Sequence, residues 1–183
     1  MRRNPSRILA IDPGTEYLGY ADFEGKDLVD FGVRTIHQGG LAIILDHVEH
    51  IVDRMLSEKR PDLVAIEKSQ FSQSTGNYRL MHVIGRMETV AKRHRVPMNE
   101  YHARTIRRVV TGNGNATKRE TANMVVSRYP ETRMYLKNRT GTQDIYFGNL
   151  FDAVACGMAH LAISKRQTPP RLSWWLRQRK DRP

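Results

Sequence analysis

The sequence predicts an α/β fold in which helices flank a mixed, five-stranded sheet. Residues 7–12 and 62–67 are short apolar segments of the kind that form buried strands, and each segment ends in an acid. Between them, residues 17–23 and 28–36 alternate in polarity, as the two strands of an antiparallel hairpin do. Because strands come first and helices interleave later, the order favours a layered α/β architecture with antiparallel strands at one edge.

Turn residues bound these first strands. Pro13-Gly14-Thr15 follows the first strand, and Glu24-Gly25-Lys26-Asp27 predicts the turn of the hairpin. Gly39-Gly40 ends the hairpin. Apolar residues then recur at helical spacing from Leu41, and Pro61 ends this helix before the strand at residues 62–67.

The second half of the chain alternates helices with one further short strand, predicted over residues 96–101. A Gly-Asn-Gly-Asn sequence at residues 112–115 breaks the chain between two helices, and Thr117 and Glu120 have the spacing of a capping box. Residues 130–148 form a polar connection to which the sequence assigns no element. The predicted helices cover residues 78–93, 105–110, 117–129 and 149–164.

Positive charge is concentrated at the two ends of the chain. The 183 residues carry a formal charge of +11, of which residues 165–183 contribute +6 and residues 1–7 contribute +3. We therefore predict one domain over residues 1–164 and a basic C-terminal tail over residues 165–183. A surplus of this size points to an acidic partner, and nucleic acid is the commonest one.

The composition argues against several other classes of protein. The single cysteine, Cys156, rules out an intramolecular disulfide and a zinc cluster built on cysteines. The basic N-terminal segment lacks the apolar run of a signal peptide. We also find no apolar run near the length of about 20 residues that spans a bilayer. These features predict a cytoplasmic protein with no membrane partner.

Three acids stand out by their positions. Asp12 and Glu67 each directly follow a buried strand, and parallel neighbours would bring both acids to one edge of the sheet. Asp152 lies early in the Ala-rich helix, where an unpaired carboxylate is costly to bury. For any one of these acids alone, capping a helix or meeting water is the simpler interpretation.

Together, in a basic chain, the three acids predict a metal site. Carboxylates that meet at one point repel each other unless a cation lies among them. Oxygen ligands without a set of His or Cys suit Mg²⁺ or Mn²⁺. Paired cations are what in-line displacement at a phosphodiester uses.

Four segments, in order along the chain, are similar to those of a known family. They are Ile8-Leu9-Ala10-Ile11-Asp12-Pro13-Gly14-Thr15 with Gly19-Tyr20 after it, then Ala65-Ile66-Glu67, then residues 103–112 with Ala116-Thr117-Lys118-Arg119, and finally Phe151-Asp152-Ala153-Val154-Ala155. They resemble the opening, the second catalytic strand, the basic DNA-contacting segment and the catalytic helix of the RuvC family of Holliday-junction resolvases. The match runs from about residue 7 to residue 163.

The resemblance implies an RNase H-like fold, a homodimer, and metal-dependent cleavage of four-way DNA junctions by paired nicks in recombination and repair. It places Asp12, Glu67 and Asp152 on metal-binding acids, which would hold two Mg²⁺ ions, with Mn²⁺ as an alternative. Arg107 and Lys118 fall on basic positions near the scissile phosphate. Lys118 would offset the charge that develops there.

Basic residues around the Gly-Asn-Gly-Asn loop are predicted to contact DNA, since glycines let backbone amides approach phosphates. Without the resemblance, a solvated helix face is an equal alternative. Phe71 is nearest to the aromatic residue that helps to open the junction centre in the family, one position displaced. In the tail, Trp174 and Trp175 among arginines suit stacking on bases. Folding onto the body, contact with another subunit and a gain in non-specific affinity remain alternatives. The predicted DNA-contacting residues are Arg104, Arg107, Arg108, Lys118, Arg119 and Phe71.

One position departs from the family pattern. Asn149 stands three residues before Asp152, where the family usually has a further acid or a His. Positions i and i+3 share a helix face, so we expect Asn149 to face the site and to assist as a metal ligand through its neutral amide oxygen. Three interpretations follow: a natural variant with a weaker second metal, an engineered inactive form, or a natural binder with reduced cleavage.

Three other functions compete with a junction endonuclease. The first is a protein that binds branched DNA and cleaves it weakly or not at all, because Asn149 replaces an acid. The second is an actin-like sugar kinase or ATPase, since Asp-x-Gly-Thr also occurs in their phosphate loops, although 183 residues are too few for the two domains of that fold. The third is a related RNase H-like nuclease that acts on ribosomal RNA precursors.

Overall fold

A computed structural model describes residues 6–68, 75–136 and 142–167. Five strands and five α-helices lie within these ranges, together with a short 3₁₀ helix at Pro130–Tyr135. The strands are β1 (Arg7–Asp12), β2 (Tyr17–Glu24), β3 (Asp27–Thr35), β4 (Leu63–Lys68) and β5 (Met98–His102). The α-helices are α1 (Leu41–Lys59), α2 (Thr75–Arg93), α3 (Ala103–Thr111), α4 (Lys118–Arg128) and α5 (Thr142–Gln167).

The strands form the mixed five-stranded sheet that the sequence predicts, in the order β3-β2-β1-β4-β5. The hairpin of β2 and β3 is antiparallel, and β2 is also antiparallel to β1. β4 pairs in parallel with β1 on one side and with β5 on the other. The parallel half therefore has a common carboxyl edge, and Asp12 and Glu67 lie there.

Helices cover both faces of the sheet. On one face, Ile44 and Val48 of α1 and Val83 and Met87 of α2 belong to the same buried cluster as the sheet residue Ile11. On the other face, α3, α4 and α5 pack against the sheet around a second cluster, to which α5 contributes most of the small residues. The result is a three-layer α/β/α domain.

Burial on both faces makes the alternating polarity of β2 misleading. The pattern predicts a half-exposed strand, but the six interior residues of β2 are buried. The polar residue Asp22 is fully buried. Its carboxylate accepts a hydrogen bond of 2.7 Å from Arg7 Nη2 and lies 3.4 Å from Lys59 Nζ. A buried charge needs such partners, and here two cations from neighbouring elements supply them.

The last helix is longer than the sequence predicts. The helix expected over residues 149–164 already begins at Thr142 and continues to Gln167. Aromatic packing accounts for the added turns, because Tyr146 meets Tyr17 edge-on with ring centroids 5.2 Å apart, and Phe147 packs on Tyr135 at 5.3 Å. These tertiary contacts extend a helix in a segment whose polar composition alone suggests a loop.

The same helix corrects the expectation about membrane spans. By length and composition alone, Tyr146–Lys165 is long and apolar enough to cross a membrane, with a mean hydropathy of 1.2. Half of it is buried inside the protein, where it packs on β1 and β2. The apolar character of α5 is that of a helix at the centre of a packed core.

Candidate active site

Asp12 and Glu67 stand beside each other at the carboxyl edge of the sheet. β1 and β4 pair in parallel with Ile11 opposite Ile66, so the next residue along each strand is one of the two acids. Helix α5 packs on β1 and β4 and carries Asp152 to the same edge. The charge of Asp152 is close enough to raise the pKa of both Asp12 and Glu67. The structure thus brings together the three acids that the sequence singles out.

Nearby positive charges do not offset the effects of burial and of the neighbouring acids on Asp12 and Glu67. Burial raises the pKa of Asp12 well above its ordinary value, and the charges of Asp152 and Glu67 raise it further. Burial, followed by the charge of Asp152, raises the pKa of Glu67 to about 7, although Lys118 and Arg107 act in the opposite direction. Both shifts mean that the fold disfavours the ionised carboxylates.

Lys118 is in direct contact with one of these acids. Its Nζ donates a hydrogen bond of 2.6 Å to Oδ2 of Asp152. The capping box predicted from Thr117 and Glu120 is present, and it fixes the end of α4 at which Lys118 lies. Burial lowers the pKa of Lys118, but the charge of Asp152 and their hydrogen bond outweigh it, so the pKa is raised and the ammonium is retained.

The residues fit a hard divalent cation in charge and in donor type. Within the described ranges, no three His, Cys, Asp or Glu side chains lie close enough to hold a metal ion as they stand. Asp152 is instead engaged by Lys118. Asp12 and Glu67 are half-buried carboxylates with raised pKa values. A bound cation would favour their ionised forms.

Asn149 lies next to the strand that pairs with Asp12. Gly19 of β2 is opposite Asp12 in the ladder. The backbone of Asn149 packs so closely on Gly19 that a Cβ at position 19 would overlap the Asn149 carbonyl group. Gly19 therefore sets how closely α5 approaches the sheet at Asn149. That the Asn149 side chain faces the acids stays a prediction.

A basic cleft of about 530 Å³ opens beside Asp12 and Glu67. Arg104 and Arg107 of α3 line it, and Gly114 and Asn115 contribute from the loop that the sequence predicts to approach phosphates. The other predicted DNA-contacting residues lie elsewhere. Arg108 and Arg119 are exposed on α3 and α4 and are not among the described residues that line this cleft, and Phe71 lies outside the described residues.

Two residues near the acids were not predicted from the sequence to belong to the site. Lys68 directly follows Glu67, lines the cleft and forms an ion pair of 3.2 Å with Glu100. Its position directly after the acid at the end of a predicted strand could have indicated that Lys68 lies at the site. Cys156 is fully buried one helical turn after Asp152, and burial together with the charges of the three acids raises its pKa well above the ordinary value. From the sequence, Cys156 served only to rule out an intramolecular disulfide and a zinc cluster built on cysteines. Nothing in the sequence indicated that it lies near the acids.

A family model described as "Crossover junction endodeoxyribonuclease RuvC" matches residues 8–160. The chain belongs to the RuvC family. A curated RuvC relative from Cytophaga hutchinsonii is 35% identical over 129 residues, which make up 64% of this chain and 62% of that protein. Another, from Trichlorobacter lovleyi, is 27% identical over 166 residues, or 85% of this chain and 84% of that protein. The chain thus spans less than two thirds of the Cytophaga relative.

Solved structures of RuvC-type resolvases have the same fold. The Thermus thermophilus RuvC structure matches with a TM-score of 0.70 and 24% identity, covering 88% of this chain and 97% of that chain. T. thermophilus RuvC in complex with Holliday junction substrate matches with a TM-score of 0.73 and 23% identity, covering 89% and 97%. These matches confirm the predicted RNase H-like fold.

Proposed function

We propose that this chain is a divalent-metal-dependent endonuclease that resolves four-way DNA junctions by paired phosphodiester hydrolysis in recombination and repair. The observation that carries the proposal is the placement of Asp12, Glu67 and Asp152 within electrostatic reach of one another, beside a cleft lined by arginines. An acidic cluster next to a basic groove lets one protein hold cations and a polyanion in the same place. Membership of the RuvC family supports this function.

The acids and Asn149 are the groups that would hold the metal. Asp12, Glu67 and Asp152 would supply carboxylates, and Asn149 an amide oxygen, to two Mg²⁺ ions or, as an alternative, Mn²⁺. When bound, such ions supply the Lewis acidity that activates a water and offsets charge on the leaving oxygen. Lys118, already 2.6 Å from Asp152, would offset the charge that develops on the phosphate.

We propose that the DNA backbone binds in the basic cleft. Arg104 and Arg107 would hold phosphates beside the acids, and the backbone at Gly114 lets a strand approach closely. Arg108 and Arg119, being exposed, would extend this positive surface, and Phe71 would help to open the junction centre. The T. thermophilus relative was solved in complex with a Holliday junction, and a four-way junction is the partner that we propose here.

Paired nicking has consequences for the oligomeric state and the domain organisation of the chain. Two strands cut at one junction require two sites, so we propose a homodimer that acts in the cytoplasm. Residues 1–164 would form the nuclease domain. The basic residues 165–183 would raise affinity for the polyanion, although α5 continues as a helix to Gln167 and residues 168–183 lie outside the described residues.

Asn149→Asp tests whether the amide limits metal binding. The added carboxylate would supply a negative charge to the proposed metal site, so we expect the Mg²⁺ concentration for half-maximal nicking to fall about tenfold. Asn149→Ala, which removes the amide oxygen, should shift it in the opposite direction. If Asn149→Asp leaves metal-dependent nicking unchanged, the argument from the missing acid is wrong.

Competition between nucleic acids tests the proposed substrate class. We expect a labelled four-way DNA junction, bound in the presence of Ca²⁺ to block cleavage, to be displaced by unlabelled junction at far lower concentration than by structured RNA of equal phosphate content. Equal displacement by both would mean that phosphate charge alone governs binding. Preferential displacement by RNA would favour a nuclease of RNA precursors.

A further inference from the structure

A hydrogen bond ties the helix of Asp152 to the strand beside Glu67. β5 pairs with β4 in parallel, and Tyr101 of β5 stands opposite Glu67. The hydroxyl of Tyr101 lies 2.7 Å from Nδ1 of His160 on α5, about two helical turns beyond Asp152. The bond therefore connects α5, which carries Asp152, to β5, the strand that pairs with β4 at the position of Glu67.

The same side of α5 runs from the acids to this bond. Asp152, Cys156 and His160 follow one another at spacings of four residues, which places them along one side of the helix. Cys156 is fully buried between the two ends and lies within electrostatic reach of both Glu67 and Tyr101. Movement of α5 at His160 would therefore be transmitted along a rigid helix to Asp152.

Small side chains let α5 lie close to the sheet. Ala153, Ala155 and Ala159 are completely buried, and Gly157 packs directly on Phe23. Such residues allow close approach, but apolar burial has no direction, whereas a hydrogen bond fixes both distance and angle. The bond from Tyr101 is thus well suited to set the rotation of the helix.

His160 acts at a distance from any substrate. Only 8% of it is exposed, so its ring is closed off from a bound nucleic acid. Burial also lowers the pKa of His160, which favours the neutral ring. The bond adds no charge to the acidic cluster, and any effect on the site has to come through geometry.

We propose that Tyr101 and His160 are positioning residues whose hydrogen bond sets the spacing between Asp152 and Glu67 and thereby the affinity of the site for divalent cations. The inference rests on the proposed function to the extent that these acids hold a metal ion. Residues that orient metal ligands without touching the metal commonly change metal affinity by about 10–100-fold when they are replaced.

Binding of Mn²⁺ in the absence of DNA, followed by the electron paramagnetic resonance signal of the free ion, tests the proposal. Tyr101→Phe removes only the hydroxyl, and we expect the Mn²⁺ dissociation constant to rise about tenfold. The Mg²⁺ concentration for half-maximal nicking should rise by the same factor, with little change in the rate at saturating metal.

Tyr129→Phe is the matched control. Tyr129 packs in the same core cluster, and its hydroxyl donates a 3.0 Å hydrogen bond to the carbonyl oxygen of Lys26, away from the acids. This variant should bind Mn²⁺ as the unsubstituted chain does. Unchanged Mn²⁺ affinity in Tyr101→Phe would overturn the proposal, and so would equal weakening in both variants, which would indicate a general loosening of the core.

Further measurements separate the possible causes of failure. Thermal unfolding with a chelator checks that the variants are folded, and His160→Phe, which has no hydrogen-bonding group, provides a second way to remove the bond if Tyr101→Phe is unstable. His160→Phe should also weaken Mn²⁺ binding, and normal binding by this variant would contradict the proposal. Asp12→Asn should abolish Mn²⁺ binding, which checks the site itself, whereas failure of the unsubstituted chain to nick a junction would count against the proposed function alone.

Discussion

Glu67→Gln is expected to abolish metal-dependent nicking and, at the same time, to stabilise the metal-free protein. The activity should fall by about a thousandfold, because the substitution removes one of the carboxylates proposed to hold the divalent cations. The gain in stability comes from the raised pKa of Glu67. The ordinary value is 4.5, and burial and Asp152 raise it to about 7 in the fold.

The sign of the stability change follows from proton linkage. An acid whose pKa is raised by folding favours the folded state at low pH, and this contribution is lost as the pH rises from about 4.5 to about 7. Each pKa unit corresponds to about 1.4 kcal/mol, so the ionised Glu67 costs the metal-free fold about 3 kcal/mol at alkaline pH. Glutamine at this position never ionises and avoids that cost.

Chemical denaturation in a chelator, at about pH 5 and about pH 8, measures this effect. We expect Glu67→Gln to exceed the unsubstituted protein in free energy of unfolding by much more at the higher pH than at the lower. Glu88→Gln, at an exposed Glu on α2 that pairs with Lys92, serves as a control and should change neither activity nor the pH dependence. A loss of stability at both pH values would contradict the electrostatic account of the site.

Gly19→Ala is expected to lower both stability and activity. A methyl group at this position would overlap the backbone carbonyl of Asn149, and neither backbone can yield cheaply. We expect the free energy of unfolding to fall by about 3 kcal/mol, at the upper end of the range for overpacked sites. Displacement of α5 from β2 would also carry Asp152 away from Asp12, so nicking should fall even at temperatures where the variant is folded.

Gly148→Ala provides the matched control, since it alters the residue next to Asn149 on the same helix. A Cβ at position 148 meets nothing within 4 Å. Alanine is favoured over glycine inside a helix by about 1 kcal/mol, so this variant should be equal to or more stable than the unsubstituted chain. If Gly19→Ala and Gly148→Ala unfold at the same denaturant concentration, the close contact of α5 with β2 does not set the geometry of the site.

Short-range patterns in the sequence were sufficient for much of the fold. Strands with an acid at the end, turn residues and the capping box of Thr117 and Glu120 each depend on neighbours in the chain, and all of them are present. The mixed sheet follows from their order. The parallel pairing of β1 and β4 then places Asp12 beside Glu67 without any further information.

The features that the sequence analysis missed depend on contacts between distant segments. α5 begins at Thr142 because Tyr146 and Phe147 find aromatic partners on other elements. Asp22 is buried because Arg7 and Lys59 converge on it. Likewise, the bond between Tyr101 and His160 joins residues far apart in the chain, and neither residue type alone signals it.

The central claim is that Asp12, Glu67 and Asp152 form a metal site that cuts four-way DNA junctions. The most direct measurement is a Mg²⁺ titration of nicking on a four-way junction, a linear duplex and a single strand of matched sequence, with Asp12→Asn as the control. We expect Mg²⁺-dependent, paired nicks on the junction, much slower cleavage of the other two, and no cleavage by Asp12→Asn. Equal cleavage of all three substrates would contradict the proposed selectivity, and nicking that survives in Asp12→Asn would contradict the site.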